Sequence, residues 1–187
     1  ADICYRPYLA AVDYRQDVPG AALGLRPLEP LPFDGRTLGA QFDRVAYPIP
    51  ELTLFNGMMV TRGEIARLLK IGKNLDSLWL GAQLTLRYLW DRLRHPRGTR
   101  LVLGNALVAR LYKRLLERQV PVWFDTETRE LLREGRRVTG VLVSTNGIAK
   151  CIQARLGVVL AGGGFPANAE WRERHLPKPT PPYTAAH

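Results

Sequence analysis

Apolar positions repeat at helical spacing between residues 61 and 94. Ile65, Leu68 and Leu69 mark one face of a short first helix. Thr61-Arg62-Gly63-Glu64 stands at its start with capping-box spacing, in which a hydroxyl accepts from the third amide and a carboxylate reaches back. Lys70 and Lys73 fall near its end, where positive charge suits the helix dipole. A second helix is expected to begin at Asp76 or Ser77 and to carry Leu80, Leu84, Tyr88 and Leu93, with Pro96-Arg97-Gly98 ending it. Trp79 and Trp90 widen its apolar face, which predicts packing on more than one side.

From Leu101 the pattern changes again. Asn105 is placed to cap a helix whose apolar positions are Leu107, Val108, Leu111, Leu115 and Leu116. Residues 120–124, Val-Pro-Val-Trp-Phe, read as a short strand. Residues 138–143 and 148–154 read as further strands. Asn146-Gly147 joins them as a hairpin turn, because both residue types tolerate positive φ. Gly157-Val158-Val159-Leu160-Ala161 is wholly apolar, as expected of a strand buried on both faces, and opens into Gly162-Gly163-Gly164. The order helix, strand, β-meander, buried strand, glycine turn predicts an α/β chain, or an α+β fragment of one.

Residues 1–58 carry neither period. Pro19-Gly20, Pro27, Pro30, Pro32, Asp34-Gly35, Pro48 and Pro50 remove backbone donors and forbid long helices. This stretch is expected to be extended loop with short strands, lying over another surface.

Composition narrows the class only modestly. At 187 residues, with 46% hydrophobic and 24% charged positions, the chain reads as a soluble globular protein. No run of about eighteen apolar residues suggests a membrane span, and Ala1-Asp2-Ile3-Cys4 does not open a secretory signal. The absence of an initial methionine fits a trimmed or excised segment. Cys4 and Cys151 form no CxxC pair, so a reduced, cytoplasmic protein without a metal or disulfide framework is expected. The net charge of +10 raises nucleic acid as a partner. Most of that charge is arginine spread along the chain, however, and its nearest approach to a patch is Arg92, Arg94, Arg97 and Arg100. Solvated surface charge is the ordinary explanation, and no nucleic-acid partner is expected.

Candidate chemistry concentrates at Gly162-Gly163-Gly164-Phe165. Glycines at the end of a strand let backbone approach a ligand and leave amides free for phosphate or a flat ring, although a simple tight turn explains them equally. They do not form GxGxxG, and no acidic residue follows at the spacing of a ribose ligand. His95, His175 and His187 lack ligand spacing, and neither a GxSxG elbow nor a P-loop occurs. Glu127 with Glu130 reads as a solvated edge. Tyr14 reads locally as a turn tyrosine with its hydroxyl in water, or as a buried phenol near a site.

A resemblance adds what spacing does not. Gly104-Asn105-Ala106-Leu107, Val122-Trp123-Phe124-Asp125-Thr126, Leu131, Arg137-Val138-Thr139-Gly140-Val141 and the ending Leu160-Ala161-Gly162-Gly163-Gly164-Phe165 follow one another in a familiar order. They resemble the fumarate reductase and 3-ketosteroid dehydrogenase flavoprotein superfamily, where a helix and meander precede an Ala-Thr-Gly-Gly-Phe motif. Gly162 stands where that threonine normally does, which removes a hydroxyl and keeps the backbone. Asp13-Tyr14, Pro19-Gly20-Ala21, residues 32–39 and Leu54-Phe55-Asn56-Gly57-Met58-Met59-Val60 resemble the 3-ketosteroid dehydrogenase branch.

The resemblance implies FAD as cofactor, with the backbone at Ala161, Gly162 and Gly163 near it and Thr128 on the strand beside the adenine. It implies a substrate-side place for Tyr14, and leaves Asn105 either on the cofactor side or as a helix cap. The expected organisation is an insertion-like segment over residues 1–100, the central part of an FAD-binding domain over 101–176, and a linker or tail over 177–187. Because the GxGxxG turn and the region of the catalytic base are absent, the chain is expected to be the middle of a longer enzyme, inactive and without FAD by itself. That enzyme would pass hydride between FAD and a carbon–carbon bond next to a carbonyl, in a ketosteroid for example. A fumarate reductase-like enzyme on a small dicarboxylate and a basic, non-enzymatic binding module are the alternatives.

Overall fold

The computed structural model describes residues 5–7, 17–21 and 28–180. The chain divides into two compact units, Ala1–Val122 and Trp123–His187. No helix among the described residues is long and apolar enough to cross a membrane.

Among the described residues the first unit contains only short strands, in keeping with its proline content. β1 (Tyr5–Pro7) pairs antiparallel with β2 (Leu28–Pro30), β3 (Phe33–Asp34) with β6 (Arg100–Leu101), and β4 (Thr53–Leu54) with β5 (Met58–Met59). After β3 the chain tightens into a 3-10 segment, Gly35–Arg44, capped by the Asp34 carboxylate, which accepts from the Arg36 amide at 3.0 Å. Leu38 and Phe42 of this segment join Phe33, Val45, Met59, Leu101 and Val102 in the main core, against Ala106 and Ala109 of α3 (Leu103–Glu117). Part of the proline-rich stretch is thus core rather than covering.

Its carbonyls, which no ladder can pair, are taken by side chains from later in the chain. Arg97 donates Nη1 to Val45 O at 2.6 Å and Nη2 to Ala46 O at 3.1 Å. Arg110 reaches Leu31 O and Pro32 O. Asn105 Nδ2 donates to Ala46 O at 2.8 Å. Asn105 is therefore not a cap: the N-cap of α3 is Val102, without a side-chain hydrogen bond.

α1 (Arg62–Leu68) opens with the expected capping box, Thr61 N donating to Glu64 Oε2 at 2.8 Å and Glu64 N to Thr61 Oγ1 at 3.4 Å. The other Glu64 oxygen accepts from Arg100 at 2.7 Å, so one side chain both caps the helix and ties it to β6. α2 (Leu75–Arg94) begins slightly earlier than expected, because Asn74 accepts from the Asp76 amide at 2.9 Å. Leu84 packs with Met58 and Val60, flanked by Leu68, Leu80 and Tyr88. Leu93, Trp79 and Trp90 do not join them. They are exposed, and Trp90 carries the Arg94 guanidinium on its ring at 3.6 Å. Within the described residues α2 buries a single stripe.

α3 buries a different face from the expected one. Ala106 and Ala109 are fully buried, with Tyr112 and Leu116 beside them, whereas Leu107, Val108, Leu111 and Leu115 are exposed. The bulk at this contact comes from Phe42 and Leu38, and alanine is what lets the two backbones approach. The helix ends in a Schellman motif: Gln119 (φ 54) donates to Leu116 O at 3.0 Å and Val120 N to Leu115 O at 2.9 Å. The expected strand at 120–124 does not form, since the motif occupies Val120 and Pro121 brings no donor.

In the second unit β7 (Thr126–Glu134), β8 (Arg137–Thr145) and β9 (Ile148–Gln153) form an antiparallel meander. Asn146 (φ 50) and Gly147 (φ 78) make the β8–β9 turn. Gly140 lies so close to β9 that a Cβ there would overlap the Ile152 carbonyl oxygen. α4 (Ala169–His175) follows, capped by Asn168 Oδ1 accepting from Trp171 N at 2.9 Å. Phe165 lies against Trp171 of this helix, the two rings tilted and 5.9 Å apart between centroids. Residues 157–161 overturn another expectation. They form no strand, and Val159 is 91% exposed. A strand buried on both faces needs strands at its sides and layers above and below, and among the described residues none pairs with this stretch.

Candidate functional site

The glycine turn occupies the stretch between the meander and α4. Ala161, Gly162 and Gly163 are exposed. Gly163 and Gly164 each have φ 85, a conformation that side-chain-bearing residues rarely adopt. At Gly162 no heavy atom stands within 4 Å of where a Cβ would be. Residues 162–168, none of them charged, line an open recess of about 480 Å³. Backbone amides and open space are what this turn offers, and nothing in its wall would repel an anion.

Thr128 lies on β7 opposite Val143, just before the bulge that separates it from Glu130 in the ladder. Its side chain is exposed, whereas Thr126 Oγ1 is already committed to Phe124 O at 2.8 Å. Thr128 and the glycine turn belong to the same unit, but no hydrogen bond or ring contact joins them among the described residues. Tyr14 lies outside the described residues.

The arginines near His95 do not act as one patch. Arg94 lies on Trp90, Arg100 pairs with Glu64, and Arg97 is buried, its pKa lowered by desolvation against weaker attraction from Tyr47 and Asp43. Proximity in sequence was the only signal for a patch, and the helix end at Arg94 turns these side chains in different directions. What reasoning from sequence missed is Arg97 as a core cation. Its place directly after Pro96, at the end of a helix, gave no sign of burial.

With this geometry in place the comparisons are specific. The chain belongs to the FAD binding domain family, whose model matches residues 11–186. It superposes with a TM-score of 0.80 on 3-ketosteroid delta1-dehydrogenase from Sterolibacterium denitrificans, crystallised in complex with 1,4-androstadiene-3,17-dione. That match has 37% identity and covers 95% of this chain and 32% of that one. The 3-oxosteroid 1-dehydrogenase of Comamonas testosteroni is 33% identical over 95% of this chain and 32% of its own length. The 4-oxocyclohex-2-ene-1-carboxylate 5-dehydrogenase of Sinomonas cyclohexanicum is 32% identical over 89% of this chain and 28% of its own. The chain thus spans about a third of the length of the curated relatives it matches.

The turn fits part of what FAD requires. Two successive glycines at positive φ leave their amides unshielded, and the absence of acid in the wall suits a cofactor that carries phosphates. The GxGxxG turn that cradles a pyrophosphate on a helix N-terminus is not in the sequence.

Proposed function

We propose that this chain supplies part of the cofactor-binding domain of a flavoprotein dehydrogenase acting on a ring that bears a carbonyl group, with a ketosteroid as the leading substrate. The observation that carries the reading is the likeness, at 37% identity, to a steroid-bound 3-ketosteroid dehydrogenase over 95% of the chain. When bound, FAD supplies a two-electron acceptor or donor for hydride. In the oxidative direction hydride leaves one ring carbon and a proton leaves its neighbour, so a carbon–carbon double bond forms beside the carbonyl. The backbone at Ala161, Gly162 and Gly163 is assigned to hold the cofactor, Thr128 to flank it, and Tyr14 to lie on the substrate side. The catalytic base is assigned to the part of the enzyme outside these 187 residues.

A second reading has its own support. The Sinomonas relative is named for a one-ring oxo-acid, so a small cyclic ketone is the competing substrate. The test uses the full reading frame that encodes this chain, with a dye as electron acceptor, on androst-4-ene-3,17-dione and on 4-oxocyclohex-2-ene-1-carboxylate. Turnover of the steroid to a product with a new ring double bond supports the first reading, and turnover of the oxo-acid alone supports the second. A frame that purifies with FAD and oxidises neither would sink both.

A further inference from the structure

Within the first unit, the loop after Val45 and the C-terminal end of α2 enclose a cleft of about 290 Å³. That is at the small end of the ~300–1,000 Å³ typical of ligand pockets. Tyr47, Met59, Tyr88 and Leu101 give it an apolar side, and Arg92 and Arg97 give it charge. Among the described residues no acidic side chain lines it.

Arg97 is 4% exposed, and such a cation ordinarily has an anion beside it. Here two backbone carbonyls take Nη1 and Nη2, and the rings of Phe42 and Tyr47 lie 4.7 and 4.3 Å from the guanidinium carbon. Its Nε is buried too and has no hydrogen-bond partner among the described residues. Asp43 attracts it electrostatically but forms no ion pair with it, and burial lowers its pKa. Arg92 on the same wall is exposed and makes no ion pair among the described residues. Two other acids nearby are already engaged. Asp91 Oδ2 accepts from Thr99 N and Oγ1, and Glu64 holds Arg100.

We infer that this cleft binds a compact organic carboxylate, its charge held by the exposed Arg92 with the Arg97 guanidinium beside it, and its apolar body by the rings of Tyr47 and Tyr88. The apolar side favours an acid with a hydrocarbon ring over inorganic phosphate. The two parallel N–H donors of the Arg92 guanidinium suit the flat carboxylate group.

Calorimetric titration of the 187-residue chain in the absence of FAD tests this, with cyclohexanecarboxylate, its neutral analogue cyclohexylmethanol and inorganic phosphate as probes. Omitting FAD keeps the outcome separate from the flavin reading. Saturable binding of the acid is expected, at least tenfold tighter than either other probe. Arg92→Gln, at an exposed position, should weaken it about tenfold without moving the melting temperature. Arg97→Lys should weaken it as well if the variant folds, and Arg92→Gln decides the matter if it does not. The inference is overturned by equal affinity for acid and alcohol, by phosphate binding as tightly as the acid, or by an Arg92→Gln variant of unchanged affinity.

Discussion

Replacing Asp91 by alanine removes the carboxylate that joins the end of α2 to the residue entering β6. Asp91 is 5% exposed and Thr99 fully buried, and one carboxylate oxygen accepts from both the Thr99 amide at 2.9 Å and its hydroxyl at 2.8 Å. Thr99 then accepts from Gly35 N through its own carbonyl at 2.8 Å, so the link runs from α2 to the start of the 3-10 segment. Hydrogen bonds to a charged group contribute about 1.5–3 kcal/mol each, and a buried donor left unpaired adds its desolvation penalty. Loss of both bonds should therefore cost at least about 3–6 kcal/mol, a large share of the ~5–15 kcal/mol that keeps a typical domain folded. Urea unfolding followed by far-UV circular dichroism measures this, since α2 and α3 dominate the helical signal. Thr99→Val retains the amide bond and should cost about 1–2 kcal/mol. The double variant should cost less than the two singles together, because no hydroxyl is then stranded. A loss below about 1 kcal/mol for Asp91→Ala would refute the reasoning, since the link would then carry almost none of the stability assigned to it.

Three other outcomes follow from local geometry. Thr61→Ala should destabilise the first unit by about 1 kcal/mol and Thr61→Ser restore it, as read from thermal melts, because the hydroxyl is the half of the capping box that alanine removes. Gly140→Ala should cost about 1–3 kcal/mol and speed amide exchange along β8 and β9, since the new Cβ meets the fixed Ile152 carbonyl. The Asp34 carboxyl is held below its ordinary range mainly by the Arg36 side chain. Its contribution is present above the unfolded-state pKa and is lost as pH falls through the lower folded value. Stability of the first unit should thus decline below about pH 4, and Asp34→Asn should flatten that part of a melting-temperature profile.

The parts of this protein legible in its sequence are those decided within a few residues. Thr61 and Glu64 make their capping box with no help from the rest of the chain, and Asn146-Gly147 turns because its backbone requires positive φ. The two helices between residues 61 and 94 follow from apolar spacing and Pro96. The glycines at 162–164 were legible as a turn, and Gly163 and Gly164 adopt positive φ there. Thr128 and Tyr14 came from family resemblance, not from any local signal.

Tertiary structure decided what depended on partners. Amphipathic spacing marks the most apolar side of α3, yet Phe42 and Leu38 require small residues opposite them, so Ala106 and Ala109 go inside. Arg97 is buried because proline-rich backbone leaves carbonyls at Val45 and Ala46 that need a donor from more than fifty positions away. Residues 157–161 have the composition of a buried strand, but hydrogen bonding to neighbours makes a strand, and composition cannot supply neighbours. Local chemistry determines where a chain turns, caps and coils. Which face is buried is determined by the size and unpaired groups of whatever lies opposite, and that is settled only when distant segments meet.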